Sequence, residues 1–279
     1  MYTRKCFTSR FEDGVLLELD YKQIEIFVLA FLSQDKQLID DLLSGADLHA
    51  ISAENLFGSR FTKEQRRIAK QLSFQLQYGS SAAGMARKLR IPKKLAQKFI
   101  DSYYTRYPEV KKWQDDMIVE IYFLRQPSDR RSKTGIPIGY SEWTSCTGRI
   151  YTFWEQDNKY SPTGVSFNPR EIKNYPVQGL ATGDIAPLAF GKLFLEMFKW
   201  SPWSDEDRSI QLVNTVHDSI LFDCYNEQAA RAWGRVAKEV LEKAPQYLKE
   251  DLGVDFNLPL RVDAKMGKSW ADMKELDLS

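Results

Sequence analysis

Only three cysteines, Cys6, Cys146 and Cys224, occur in 279 residues, and they are scattered and odd in number. That excludes a disulfide framework and a cysteine-ligated zinc site, and makes a reducing, cytoplasmic setting the default. No apolar run approaches the length that crosses a bilayer and no signal-peptide pattern is present, so no membrane partner is expected. Net charge is nearly absent, at +1, so a polyanion would have to be held by a local basic stripe. Internal repeats and low-complexity tracts are missing as well. What remains is 43% apolar and 28% charged, enough for a packed core and far from the composition of a disordered chain. The length suits one large domain or two intimate ones.

The hydrophobic pattern alternates between strand and helix. "GVLLELDY" (14–21) is an apolar run ending in Asp20 and predicts a buried strand, and "KQIEIFVLAFLS" continues at helical period. "DKQLIDDLLSGADLHAISAENLF" predicts short helices broken at Gly45. "TKEQRRIAKQLSFQLQYG" predicts a helix with Thr62 as N-cap, Gln65 three residues on, and Gly79 as its stop. Two further helical stretches follow, one starting at Pro92 and interrupted at Pro108. Residues 126–165 carry Pro, Gly and Ser punctuation and predict loops with a small hairpin. A long helical region runs from Arg170 through "NYPVQGLATGDIA". "IQLVNTVHDSILFDC" predicts a hairpin with His217 and Asp218 at its tip, followed by a helix and the terminal strand "LRVDAKMGKSW".

One line along the helix after Thr62 is unusual. Read every fourth residue, it gives Arg66, Lys70, Phe74 and Tyr78. A step of four turns about 400° and rises about 6 Å, so these form a slowly twisting stripe about 18 Å long. Cations at one end suit phosphates, and rings at the other suit a sugar and a base. An ordinary amphipathic helix, with its rings in the core and its cations in water, is the commoner source of such spacing. Two aspartates are unusual in a different way. Asp20 ends a buried strand and Asp218 sits between two apolar runs. An ionised carboxylate beside apolar strand residues is costly unless paired or metal-bound. Two carboxylates brought together repel, and divalent cations relieve that repulsion. Taken singly, each aspartate is more often a turn residue or a cap.

Together these segments resemble a known family. "LDYKQIEIFVLAFLS", "RRIAKQLSFQLQYG" and "VHDS" resemble motifs A, B and C of the family A DNA polymerases, the DNA polymerase I-like enzymes, in the right order. "ADLHAISAENLFG", "NYPVQGLATGDIA" and the closing "KMGKSW" also look like family segments, so the resemblance covers essentially the whole chain. It implies an α/β (α+β) fold. A right-hand palm, with an antiparallel sheet backed by helices, would span 1–32 and 161–279, and an inserted all-helical fingers subdomain would span 33–160.

The resemblance also implies roles at matching positions. Asp20 and Asp218 would hold two Mg²⁺ ions, assisted by the backbone carbonyl of Tyr21. Arg66, Lys70 and His49 would contact the triphosphate of a dNTP, with Lys70 also a proton donor to the leaving pyrophosphate. Phe74 would pack on the sugar, Tyr78 would stack near the templating position, and Gly79 would let the template base approach. Glu25 would act as a steric gate against a ribose 2′-hydroxyl, with Gln23 beside it. Arg170, Asn174 and Gln178, at i, i+4 and i+8, would contact the minor groove of primer–template DNA, and His217 would lie near the primer end. Relatives with Phe at position 74 reject dideoxynucleotides, whereas those with Tyr accept them. The implied spatial arrangement is that Asp20 and Asp218 converge on shared ions facing the cationic half of the stripe.

The chain departs from the family in several places. Ser219 stands where motif C usually has Glu, Phe27 where many relatives have Arg, and Lys22 where many have Ser. Asp223 is no obvious substitute for the missing Glu, because four residues along a strand span about 13 Å. The family's thumb, a primer-contacting palm segment and the frequent 3′–5′ exonuclease domain precede motif A, and no counterpart occurs here. The expectation is a split enzyme, possible in a phage, whose second polypeptide supplies thumb and exonuclease. A fragment, or a compact variant acting alone, is the alternative. A bacterial or phage-infected cell's cytoplasm is the implied location. Two other functions compete: a non-catalytic primer–template-binding subunit of a replication complex, and a template-directed RNA polymerase of the single-subunit type.

Overall fold

The computed structural model describes residues 3–200 and 210–278. The chain divides into two compact units, Met1–Ile26 with Gly179–Ser279, and Phe27–Gln178.

The first unit opens with strand β1 (Val15–Tyr21), which leads into helix α1 (Ile24–Ser33). Every residue of β1 except Asp20 is buried, so the strand is apolar because it is central. The second unit contains helices α2 (Lys36–Leu43), α3 (Leu48–Phe57), α4 (Lys63–Gln77), α5 (Ala82–Leu89), α6 (Lys93–Arg106) and α7 (Pro108–Phe123). Each boundary has a local cause. Asp35, Asp47 and Ser81 cap α2, α3 and α5 with side-chain oxygens. Thr62 and Gln65 form the reciprocal capping box expected at the start of α4. Pro108 opens α7 where α6 has just ended.

This unit is not helical throughout. Strands β2 (Gln126–Arg131), β3 (Pro137–Thr144) and β4 (Ile150–Trp154) form a three-stranded antiparallel sheet, followed by the short pair β5 (Gln156–Asp157) and β6 (Val165–Ser166). The all-helical expectation for 33–160 is therefore corrected: the small hairpin predicted in 126–165 grows into a sheet. Its first strand is almost fully exposed and has no apolar alternation to betray it. The sheet's inner face, with Phe153, packs with Met117, Ile121, Phe167 and Ile172. A second core joins Leu56, Leu72, Leu76, Met85 and Phe99 of α3 to α6. Helix α8 (Pro169–Gln178) closes the unit.

The first unit resumes with a π-helical segment, Gly179–Ile185, and helix α9 (Ala186–Trp200). Strands β7 (Ile210–Val216) and β8 (Ser219–Cys224), helices α10 (Glu227–Glu242) and α11 (Ala244–Leu252), and strands β9 (Val262–Gly267) and β10 (Lys274–Glu275) complete it. The sheet has the order β10-β9-β1-β8-β7 and is antiparallel at every pairing. Alternation along β1 sends Leu17, Leu19 and Tyr21 to one face, where α10 packs. There the buried Trp233 meets Phe222 edge-on at 5.6 Å, and the Tyr21 hydroxyl donates to the Leu241 carbonyl at 2.7 Å. The other face takes Glu18 and Asp20. An antiparallel sheet backed by helices is thus the architecture of this unit.

Candidate active site

In the sheet-bearing unit, the β1–β8 register sets Asp20 opposite Ser219, and Ser219 in turn pairs with Val216 across the hairpin. His217 and Asp218 form the two-residue tip between them. His217 adopts φ 55°, a left-handed conformation that costs a side-chain-bearing residue energy and fixes the direction of the tip. The backbone carbonyl of Asp218 accepts from Tyr21 N at 3.3 Å, tying the tip to the end of β1. The two acidic residues that the sequence separates by nearly 200 positions therefore share one end of the sheet.

Their electrostatics record the proximity. Burial, reinforced by the Asp218 carboxylate, pushes the Asp20 carboxyl up to about 6, with the Lys265 cation opposing. Burial likewise raises Asp218, against its own backbone hydrogen bond and the His217 charge. Both groups are half-buried. The donor chemistry suits Mg²⁺, which takes one or two carboxylates and completes its shell with water and substrate phosphates. Tyr21 offers only its backbone at this point, because its hydroxyl is committed to Leu241. Among the described residues, no group of three or more His, Cys, Asp or Glu side chains could hold a metal ion. Asp20 and Asp218 would thus depend on oxygens from the substrate and solvent.

Three neighbouring positions acquire a structural account. Ser219 donates its hydroxyl to the Val216 carbonyl at 3.1 Å, closing the hairpin it borders. Asp223 is buried and accepts from Ser9 Oγ at 2.6 Å and Arg10 N at 3.2 Å, so it fastens the N-terminal loop. Lys22 pairs at 2.6 Å with Asp263, which stands opposite Asp20 in the β1–β9 register. The Lys22 cation thus neutralises a third carboxylate beside Asp20 that sequence reading does not single out. Gln23, at φ 53°, makes the turn from β1 into α1, and its carbonyl accepts from Ile26 N at 2.9 Å. Glu25 lies in the first turn of α1.

In the unit Phe27–Gln178, the stripe on α4 is not the core face. Ala69, Leu72 and Leu76 are buried, whereas Phe74 and Tyr78 are 43% and 41% exposed, so the ordinary amphipathic reading does not account for the rings. His49 on α3 joins the stripe. Its ring lies 6.0 Å from that of Phe74, and the Lys70 ammonium is 5.8 Å from the same Phe74 ring. His49 is buried with no hydrogen-bond partner for Nδ1, and burial, then the Lys70 cation, hold its imidazole below the ordinary histidine value. Arg66 donates from Nε and Nη2 to Asp47 Oδ2 at 2.9 and 2.6 Å. Sequence reading misses Asp47 as well; its signal is a cap residue two positions before His49 in "ADLHA".

Gly79 has structural reasons of its own. It follows the C-cap of α4 at φ 67°, and a Cβ there would sit 3.1 Å from the Arg170 Cα. Arg170, Asn174 and Gln178 lie along α8; Asn174 Nδ2 donates to Gln178 Oε1 at 3.3 Å, and Asn174 Oδ1 is buried without a partner.

The family model described as DNA polymerase family A matches residues 1–272. Similar curated proteins include the thermostable DNA polymerase I of Thermus aquaticus, 32% identical over 276 residues that cover 98% of this chain and 29% of that protein. DNA polymerase I of Lactococcus lactis subsp. lactis is 32% identical over 278 residues, covering 97% of this chain and 27% of that protein. Among solved structures, the POL domain of Pol1 from M. smegmatis, in complex with DNA primer-template and dNTP, is similar with a TM-score of 0.70 and 25% identity. That match covers 97% of this chain and 42% of the other. The fold is thus of the class seen in polymerase POL domains. The chain belongs to DNA polymerase family A. It spans 27–29% of the length of the two curated relatives named. No helix among the described residues is long and apolar enough to cross a membrane.

Proposed function

We propose that this chain carries the template-directed DNA polymerase chemistry of its family, adding deoxynucleotides to a primer 3′ end with two Mg²⁺ ions. The observation that supports the reading most is that Asp20 and Asp218 share one end of the sheet, where burial disfavours the charge of each carboxylate. Mg²⁺ bound there would activate the attacking primer oxygen and neutralise phosphate charge. In this reading residues 1–32 and 161–279 form the palm, and 33–160 the fingers. Asp20, Asp218 and the Tyr21 carbonyl are the metal ligands. Arg66 and Lys70 hold the triphosphate, with Lys70 placed to protonate pyrophosphate as it leaves. His49, kept neutral by burial, contacts phosphate oxygens by hydrogen bonding rather than by charge. Phe74 and Tyr78 present exposed faces to sugar and base. Glu25 and Gln23 border the sugar, and Arg170, Asn174, Gln178, Gly79 and His217 contact primer–template DNA.

In the same reading a second polypeptide bearing thumb and exonuclease completes the enzyme; a fragment of a longer chain, or a compact variant acting alone, is the alternative. The non-catalytic subunit reading is favoured by one observation, Ser219 in place of a carboxylate. The test is primer extension by the purified chain, alone and with the product of its neighbouring gene. Extension that needs Mg²⁺, prefers dNTPs over NTPs and disappears in Asp218→Ala supports the polymerase reading. Tight primer–template binding with no extension in either format supports the non-catalytic one.

A further inference from the structure

Arg66 is engaged by a carboxylate with two separable tasks. Asp47 Oδ1 accepts from His49 N at 3.1 Å and Ala50 N at 3.0 Å, which is the N-cap of α3. Asp47 Oδ2 accepts both Arg66 contacts, at 2.9 and 2.6 Å. The cap and the ion pair therefore use different oxygens, and Arg66 can leave without uncapping the helix that carries His49. The pair is also easily parted: its side chains are 42% and 44% exposed, and exposed ion pairs hold weakly. A polyphosphate offers the same guanidinium a comparable fork of oxygens and more negative charge. Lys70, one turn along α4 from Arg66, and the buried His49 both neighbour the Phe74 ring, so phosphates arriving at Arg66 would find further donors.

We propose that Asp47 is the resting partner of Arg66, a carboxylate that the phosphates of an incoming nucleotide displace from the guanidinium. The identity of the ligand as a nucleoside triphosphate rests on the polymerase reading above. Asp47 then sets the affinity threshold of the site. It keeps the Arg66 side chain ordered on α4 while no nucleotide is bound, and it opposes ground-state binding by occupying the fork and by adding negative charge beside it. The hydrogen bonds that hold the Asp47 carboxyl below the usual range, against the effect of burial, are those of Arg66 and of the two backbone amides. Loss of the first leaves the others in place.

Asp47→Asn separates the tasks, because asparagine caps a helix as well as aspartate does but carries no charge. Two measurements apply: dNTP KM and kcat in primer extension, and tripolyphosphate binding by calorimetry without DNA. The expected result is a KM and a tripolyphosphate Kd lower by about 2- to 5-fold, with kcat little changed and melting temperature retained. In an Arg66→Ala background the gain from Asp47→Asn should vanish. A raised or unchanged Kd, or the same gain with Arg66 absent, would overturn the proposal. Failure of the polymerase reading looks different: the wild-type chain extends no primer, while the tripolyphosphate arm still reports on Asp47. Asp47→Ala, which also removes the cap, should lower the melting temperature, and its contrast with Asp47→Asn separates loss of structure from loss of charge.

Discussion

Asp20 on β1 faces Ser219 on β8, and the carboxyl of Asp218 begins one residue beyond that pair. Burial and the second carboxylate raise the Asp20 pKa to about 6, so the protonated form persists in the folded chain about two pH units above its ordinary range. A group whose folded pKa exceeds its unfolded value contributes fully below the unfolded value, near 3.9, and loses that contribution as pH rises through about 6. In EDTA, the wild-type melting temperature should therefore fall between pH 4 and 7 relative to Asp20→Asn, which has no proton to lose. Mg²⁺ should restore the wild type at pH 7 and leave Asp20→Asn unmoved. Thermal melts at several pH values, with and without Mg²⁺, measure both effects. Parallel pH curves for the two proteins would show that Asp20 bears no such strain.

Ser219 invites the opposite change. Its hydroxyl bond to the Val216 carbonyl lies at the hairpin's closing pair, so Ser219→Glu loses one local hydrogen bond, worth about 1 kcal/mol, and gains a carboxylate opposite Asp20. In the family reading, that third carboxylate strengthens metal or primer placement. The expected outcome is a lower Mg²⁺ concentration for half-maximal primer extension, with a small loss of stability in urea. An unchanged Mg²⁺ midpoint would show that the hairpin tip does not aim position 219 at the ions.

How much of this was legible follows the range of the interaction. Helix α4 was legible end to end, because Thr62, Gln65 and Gly79 act within a turn of the residues they cap or stop. The hairpin around His217 and Asp218 was legible for the same reason. The Asp20–Ser219 register was not, because it depends on which of several apolar strands lies beside β1. Lys22 could not be interpreted from sequence because its partner, Asp263, lies 241 positions away on β9. The long helical region after Pro169 reads as continuous. Pro176 lacks an N–H to donate, and three residues on, the seven residues Gly179–Ile185 are wound as a π-helix. Strand β2 was missed because "QPSDRR" carries no apolar face.

Asp41 tests the framework that supports the stripe-bearing unit. It is buried and accepts four hydrogen bonds: Gln37 Nε2 at 2.9 Å, Arg106 Nη2 at 2.7 Å, Arg106 Nε at 2.9 Å and the Tyr107 hydroxyl at 2.7 Å. These outweigh burial and hold its carboxyl below the usual range. The contribution is complete above the unfolded value, near 3.9, and is lost as pH falls through the depressed folded value. Asp41→Asn should cost about 2–4 kcal/mol at pH 7, since it leaves Arg106 without its charge partner. The gap from wild type should narrow in acid. Urea titrations at pH 7 and pH 3 measure it, and a gap of equal size at both would assign the loss to packing instead.

Phe74 carries the most specific prediction about substrate. It is 43% exposed on α4, with its ring near both His49 and Lys70, so a hydroxyl added at its edge meets solvent or ligand rather than core. Phe74→Tyr should accordingly change stability by no more than about 0.5 kcal/mol. If the ring packs on the sugar of the incoming nucleotide, the new hydroxyl sits where a 3′-hydroxyl is otherwise the polar group and can substitute for it. Wild type should then reject dideoxynucleotides strongly, and Phe74→Tyr should accept them with a dNTP/ddNTP selectivity lower by at least about tenfold, a transition-state difference of about 1.4 kcal/mol. Parallel chain-termination assays with equal dNTP turnover decide it. Equal termination by the two proteins would remove Phe74 from the sugar, and with it the assignment of the ring half of the stripe to the nucleoside.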